Sequence, residues 1–274
     1  LSEADGPMST RVPILRGRTF PWSMRAWRLV ERNIYVYRRE WLLIVSGFFE
    51  PVFYLFSIGV GLNHLVGSLE VAGRSVPYTA FVAPGLLATA AMNGALMDAT
   101  FNLFFKLKIS KTYDAVLATP LGPGDVALGE LIWSVLRGTL YASCFLLVMA
   151  ATGTATSWWA LLCIPSAVLM GAAFGAVGMS LTTFMRSWQD FDLVSLALMP
   201  MFLFSATFYP ITVYPGWLQG VVKATPLYQG VLLSRSAALG DLHANLLVPA
   251  LYLFVMLVGG LTVATARMRR LVLS

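Results

Sequence analysis

The chain is predicted to be an all-α membrane protein with six transmembrane helices. Two observations lead there. Six apolar runs, at roughly 41–62, 79–105, 129–151, 158–183, 192–208 and 246–266, divide the chain. Each is near the ~20 residues that carry a helix across a bilayer at ~1.5 Å per residue, the fifth being short. Charged residues make up only 12% of the chain and sit mostly between those runs. Soluble domains average about 25%. A water-soluble core cannot hide six such runs in 274 residues, so the bilayer is the solvent. One membrane domain is expected over 41–270, with no room for a second globular unit.

Before the first run, residues 1–20 read as a flexible cytoplasmic N-terminus with no cleavable leader. From Trp22 to Glu40 the pattern changes. Trp27, Val30, Ile34 and Tyr37 recur at helical spacing, with Arg25, Arg28, Arg32 and Arg39 on a different face. This predicts an amphipathic helix over 21–40, lying in the cytoplasmic interface with its arginines toward lipid phosphates. Trp22 opens it. The plainer alternative is a cytoplasmic extension of the first span.

Charge sets the orientation. With the N-terminus inside, fifteen of the 19 Lys and Arg fall on the cytoplasmic side and three outside (Arg74, Lys223, Arg235), while Arg137 lies within a span. The positive-inside rule then puts both termini in the cytoplasm. The formal charge of +6 is an orientation signal and no nucleic-acid footprint.

Along the spans, the first carries Glu50-Pro51, where the missing backbone donor favours a kink. The second carries Pro84-Gly85, Asn93 and Asp98, and leaves at Phe104-Phe105-Lys106. A compact segment ending at Pro120 follows. The third opens with Glu130 and contains Arg137. The fourth is rich in small residues, with Gly171 and Gly175 in the GxxxG relation that lets helices approach in lipid. After the fifth, Pro210, Pro215 and Pro226 punctuate a stretch with Trp217, Leu218, Val221 and Val222. It is too apolar for a solvated loop and too broken for a span. Short re-entrant helices over about 210–226 are the expected compromise. Cys144 and Cys163 read as packing residues, and His64 and His243 as loop residues without a metal set.

Three ionisable groups sit within spans. Glu50 lies nine residues past Trp41, Asp98 seven before Phe105 and Arg137 seven past Glu130, each ~10–14 Å inside the inner boundary by the helical rise. Charges at that depth cost at least ~2.5–3.5 kcal/mol when isolated, so partners are expected. Either Arg137 pairs with Asp98 or Glu50, or it snorkels to the inner headgroups. The loop 106–120 offers cations, Tyr113 as an anchor and Val116/Leu117 on a short helix. It suits docking of another protein or contact with lipid headgroups alone. No GxxxxGK[ST] occurs, so nucleotide hydrolysis, if used, is carried by another chain.

Three segments carry a family resemblance: FVAPGLLATAAM (81–92), KTYDAVLATPLGP (111–123) and FYPITVYPGWLQGVVKATPLYQGVLLSRSAALGD (208–241). Together with the six-span layout they resemble ABC type-2 exporter permeases, in particular the nodulation lipo-oligosaccharide exporter-like branch. The resemblance covers nearly everything after residue 20. It implies a permease that pairs with a second copy or a paralogue and binds two copies of a cytoplasmic ABC ATPase. ATP and Mg then sit on that partner, and this chain holds no cofactor, no metal and no catalytic residue. A coupling helix maps to about 108–117 (Lys108, Lys111, Thr112, Tyr113, Asp114, Val116, Leu117). The interface helix maps to Trp22–Glu40, and the re-entrant region to Pro210–Pro226. The implied function is export of an amphipathic cargo, whether lipid-linked saccharide, glycolipid or hydrophobic drug, across a bacterial inner membrane. An ion-gradient-driven transporter or channel is the alternative, but the inverted repeats and broken midplane helices it favours are not found.

Overall fold

The computed structural model describes residues 22–39, 41–71, 73–110, 112, 121–242 and 244–273. It is almost entirely helical. Helices α1 (Trp22–Arg39) and α2 (Trp41–Val66) are followed by a hairpin of β1 (Ser68–Val71) and β2 (Arg74–Pro77), then α3 (Tyr78–Met97). After these come α4 (Pro123–Ala151), α5 (Cys163–Thr182), α6 (Asp190–Leu203), α7 (Gly216–Ala224), α8 (Pro226–Leu239) and α9 (Leu247–Leu273). Among the described residues, four helical stretches are long and apolar enough to cross a membrane: Tyr78–Ile109, Pro123–Ala151, Trp158–Thr182 and Leu247–Leu271. The first predicted run lies on the 26-residue α2, which continues past Pro51 and carries His64 on helix, where a loop was expected. The fifth lies on the 14-residue α6, ~21 Å long by helical rise.

α3 is the central strut, with nearly every residue buried. It continues as two π-type turns, Asp98–Asn102 and Phe105–Ile109, into one stretch of 32 residues. At ~1.5 Å per residue this measures ~48 Å, well beyond the ~30 Å hydrocarbon thickness, so one end projects past the bilayer. α4 begins at Pro123, earlier than the expected opening near Glu130. Proline suits the first helical position because its missing N–H has no intrahelical role there. The Asp125 carboxylate accepts a hydrogen bond from the Gly122 backbone N–H at 3.0 Å, tying down the entry.

The N-terminal helix lies against protein. Ala26, Leu29, Val30, Asn33 and Tyr37 are buried, the i, i+3, i+4, i+7, i+11 stripe of one face. That face packs on α4, where a side chain at Gly129 would meet the Ala26 carbonyl and Leu29 at 2.9 Å. The face expected from Trp27, Val30, Ile34 and Tyr37 is therefore split. Val30 and Tyr37 turn inward, whereas Trp27 and Ile34 remain about half exposed. Small and polar residues, Ala26 and Asn33, chose the buried side. They permit close approach and offer a hydrogen bond, which hydrophobicity alone does not report.

Small residues also set the α5 and α9 spacing. An added Cβ at Gly175 would sit 2.7 Å from the Ser134 hydroxyl of α4. At Gly260 of α9 it would sit 2.8 Å from backbone atoms of Ala176 and Val177. The β1–β2 hairpin was not foreseen. Its strands pair antiparallel with Leu69 opposite Val76, and Gly73 at φ 74° supplies the turn.

Backbone cannot yield as a flexible side chain does, so Gly260→Ala should destabilise the detergent-solubilised protein by about 1–3 kcal/mol, the cost of overpacking. Its neighbour Gly259 faces open space. Thermal unfolding of the two variants should show a lowered midpoint for Gly260→Ala and none for Gly259→Ala.

Candidate functional site

Four charged side chains meet between α3 and α4 in two rungs. α3 and its π-type continuation supply Asp98 and Lys106, eight residues apart. α4, running the other way, supplies Arg137 and Glu130, seven apart. Two helical turns separate the rungs on both helices, ~10–12 Å by the rise. The signs alternate, so each rung is an ion pair.

In the first rung Arg137 Nη1 donates to Asp98 Oδ1 at 2.9 Å. Tyr37 of α1 completes it, its hydroxyl donating to the same Oδ1 at 3.0 Å. Asn102 Nδ2 donates to both Tyr37 and Asp98. Arg137 Nε donates to the Tyr141 hydroxyl at 3.1 Å, and its guanidinium lies 5.2 Å from the Tyr37 ring centre. Burial, then the neighbouring Asp98 charge, push the Tyr37 phenol above its usual range, so it keeps its proton to donate. The Tyr37 ring packs 5.0 Å from Trp133.

In the second rung Lys106 Nζ donates to Glu130 Oε2 at 2.7 Å and Oε1 at 3.0 Å. Asn33 of α1, one turn from Tyr37, bridges this pair. It accepts from Lys106 Nζ at 3.2 Å and donates to Glu130 Oε2 at 3.2 Å. Asp98 and Glu130 are 3% and 4% exposed. α1 thus joins both rungs through two residues of its buried face.

Of the charges singled out from sequence, Asp98 and Arg137 come together. Glu50 is a helical position of α2 whose side chain lies outside the described residues. Lys106, Glu130, Asn33, Tyr37 and Asn102 were missed as partners. The signal was present: Lys106 and Glu130 stand two turns from Asp98 and Arg137 on the same helix faces, with opposite signs.

Beyond Lys106, Lys108 is exposed on the last π-type turn, and the Ser110 and Thr112 hydroxyls are 2.6 Å apart. Lys111, Tyr113, Asp114, Val116 and Leu117 lie outside the described residues. On α1, Arg28 pairs with Glu31 at 3.0 Å in the open, Trp27 is half exposed and Arg32 partly so. Trp22 and Arg25 are helical, and their side chains lie outside the described residues. In the proline-punctuated region, Pro210 precedes a short turn, Pro215 precedes α7 and Pro226 starts α8, with Trp217 74% exposed on α7. Thr225 caps α8, accepting the Tyr228 N–H at 3.4 Å.

A cavity of about 270 Å³ lies between α2, α3 and α6. Tyr54, Leu86, Met92, Leu198 and Phe202 give it apolar walls, and Thr89, Asn93 and Ser195 place polar groups among them. The turn into α6 is fixed by Asp190, which accepts the Arg186 and Ser187 backbone N–H groups. Those two bonds hold its carboxyl below the usual carboxylate range.

The family pattern of the "ABC-2 type transporter" matches residues 24–239. The chain belongs to the ABC-2 type transporter family. It is similar to Nodulation protein J of Rhizobium leguminosarum bv. viciae, 32% identical over 256 residues that cover 92% of this chain and 97% of the relative. Nodulation protein J of Rhizobium meliloti (strain 1021) is 31% identical over 248 residues, 89% and 92% of the two chains. That of Bradyrhizobium diazoefficiens is 31% identical over 263 residues, 94% and 97%. This ABC-2 protein is accordingly a multi-pass membrane permease of an ABC exporter, and the two-rung ladder lies wholly within the matched region.

Removing one partner of a buried ion pair costs about 3–5 kcal/mol, because the other charge is stranded. Lys106→Met should therefore lower the unfolding midpoint sharply. Lys106→Met combined with Glu130→Leu should recover most of the loss. Thermal denaturation in detergent reads both, and equal instability of the single and double variants would speak against the pair.

Proposed function

We propose that the chain is the gate of an ATP-driven exporter of amphipathic cargo, moved by a separate ATPase bound at the end of α3. The observation that carries this reading is the continuity of that helix. One 32-residue stretch, Tyr78–Ile109, walls the cavity with Leu86, Thr89 and Asn93, carries Asp98 and Lys106 of the ladder, and ends where the expected coupling segment, 108–117, begins. A push on the segment 108–117 travels along α3 and, through the two rungs, moves α1 and α4 with it. The rungs transmit because in each the carboxylate is buried and its cation mostly so. Sliding one helix past the other would unpair them, at a cost of several kcal/mol.

In this reading the Lys106 end faces the cytoplasm, following the excess of Lys and Arg there. α2 and α6 complete six spans. α7 and α8 are re-entrant helices on the outer side. Two copies, or this chain with a paralogue, meet across α2 and α6, whose exposed Phe53, Phe56, Leu193, Leu196 and Met199 need cover in lipid or protein. Two ATPase subunits hold ATP and Mg. The cavity's apolar walls, with Thr89, Asn93 and Ser195 among them, suit contact with part of a cargo that has both a polar head and a lipid tail. The resemblance to the nodulation lipo-oligosaccharide exporter-like branch favours a lipid-linked saccharide among such cargos.

Purification from the native membrane should bring down an ABC ATPase. Vesicles carrying the complex should move a fluorescent glycolipid only when ATP is present, even with a proton gradient maintained. Transport that continues without ATP under that gradient would sink the reading.

The ladder has its own expected outcome. Asp98→Ala and Arg137→Ala should each reduce ATP-driven transport about 10-fold or more at equal protein level, since each strands the opposite charge and frees α3 to slide on α4. Exchanging the charges, Asp98→Arg with Arg137→Asp, should recover part of the transport. Inactivity of the exchanged variant at normal protein levels counts against direct pairing.

A further inference from the structure

Arg235, on α8, is 9% exposed, and among the described residues no carboxylate lies within ion-pair distance of it. Backbone carbonyls of two other segments take its donors. Nε donates to the Phe81 carbonyl at 3.2 Å, and Nη2 donates to those of Ala206 at 2.8 Å and Thr207 at 3.2 Å. The guanidinium also lies 3.8 Å from the Phe81 ring centre. Phe81 is in the first turn of α3. Ala206 and Thr207 stand just past the last turn of α6, where carbonyls have no intrahelical donor. One planar fork thus fastens the end of α6 to the start of α3, a geometry that a lysine ammonium does not reproduce.

The fastened seam is tight and bent. A Cβ on Gly85 would sit 2.8 Å from Thr207 Cγ2, and the Tyr78 hydroxyl donates to the Phe208 carbonyl at 3.2 Å. Ala206 holds φ 55°, a left-handed backbone that a residue with a Cβ rarely adopts and keeps only when its surroundings enforce it. The same two helices wall the cavity, through Leu86 and Thr89 of α3 and Ser195 and Phe202 of α6. A fastening that is charge-assisted, made to carbonyls that water can also satisfy, and set against a strained turn suits a part that opens and recloses.

We propose that Arg235 is the latch of the exit gate, a positioning residue that holds the end of α6 against α3 at rest and lets go when cargo leaves. This rests on the exporter reading for its place in the cycle. The seam itself is testable without transport. In a chain with Cys144 and Cys163 replaced by alanine, Thr207→Cys is exposed to a membrane-impermeant maleimide outside intact cells. Labelling should be slow with Arg235 present, at least ten-fold faster with Arg235→Met, and intermediate with Arg235→Lys. With Arg235 intact, the ATPase complex trapped with ATP and vanadate should label as fast as the Arg235→Met chain, which a static brace would not do. Slow labelling in both the folded Arg235→Met chain and the trapped complex overturns the latch.

A second arm leaves Arg235 untouched and covers the case in which Arg235→Met does not fold. An ideal Cβ at Gly85 lies 3.2 Å from Thr207 Cβ, a few tenths of an ångström inside the usual ~3.5–4.5 Å of a disulfide. Gly85→Cys with Thr207→Cys should cross-link on oxidation, stop ATP-driven glycolipid export, and regain it with dithiothreitol. Full export with the bond formed in most molecules overturns the latch. Absence of ATP-driven export from the unmodified complex instead overturns the exporter reading and leaves the labelling arm to judge the seam.

Discussion

Charges buried in a low-dielectric core must be paired, and in this protein that constraint organises the packing around α3. Asp98 and Glu130 are almost fully buried, and each accepts from a cation on the facing helix and from a polar side chain of α1. A buried carboxylate stripped of such partners costs several kcal/mol. The register of α3 on α4 follows, because a slide by one turn would unpair both rungs. So does the seat of α1, which must present Asn33 and Tyr37 four residues apart to reach both.

Around this ladder the remaining contacts are mostly dispersion between close-packed helices. In lipid there is no hydrophobic drive to bring apolar helices together, so fit decides. Gly129, Gly175 and Gly260 each give the facing helix room that a Cβ would take. The two kinds of contact divide the work. Small residues set how close the helices come, and the charge rungs set how far each is shifted along its neighbour. Only the second resists sliding strongly, so in the proposed cycle a displacement at the end of α3 would be carried to α1 and α4 together.

Much of the architecture was legible because it rests on patterns local in sequence. Apolar runs of bilayer length became helices, and counting from helix ends put Asp98 and Arg137 at one depth, where they lie 2.9 Å apart. What was not legible depends on tertiary neighbours. Arg235 counted as one of three outer-side cations, yet it is buried on carbonyls from two distant segments that no spacing rule connects. The face of α1 that packs on α4 went unread because Ala26 and Asn33 lack the hydrophobicity that marks a core position. The hairpin at 68–77 escaped because two four-residue strands between long apolar runs give little signal beyond Gly73. Lys106 and Glu130 looked like boundary charges because each was read on its own helix.

The most direct measurement concerns Tyr37, the side chain that joins α1 to the first rung. Tyr37→Phe keeps the ring against Trp133 and removes only the hydroxyl. In vesicles carrying the complete permease–ATPase complex, cargo moved per ATP hydrolysed should fall several-fold while complex assembly and ATP turnover persist. An unchanged ratio would show that the ladder holds the fold together and takes no part in passing motion from the ATPase to the gate.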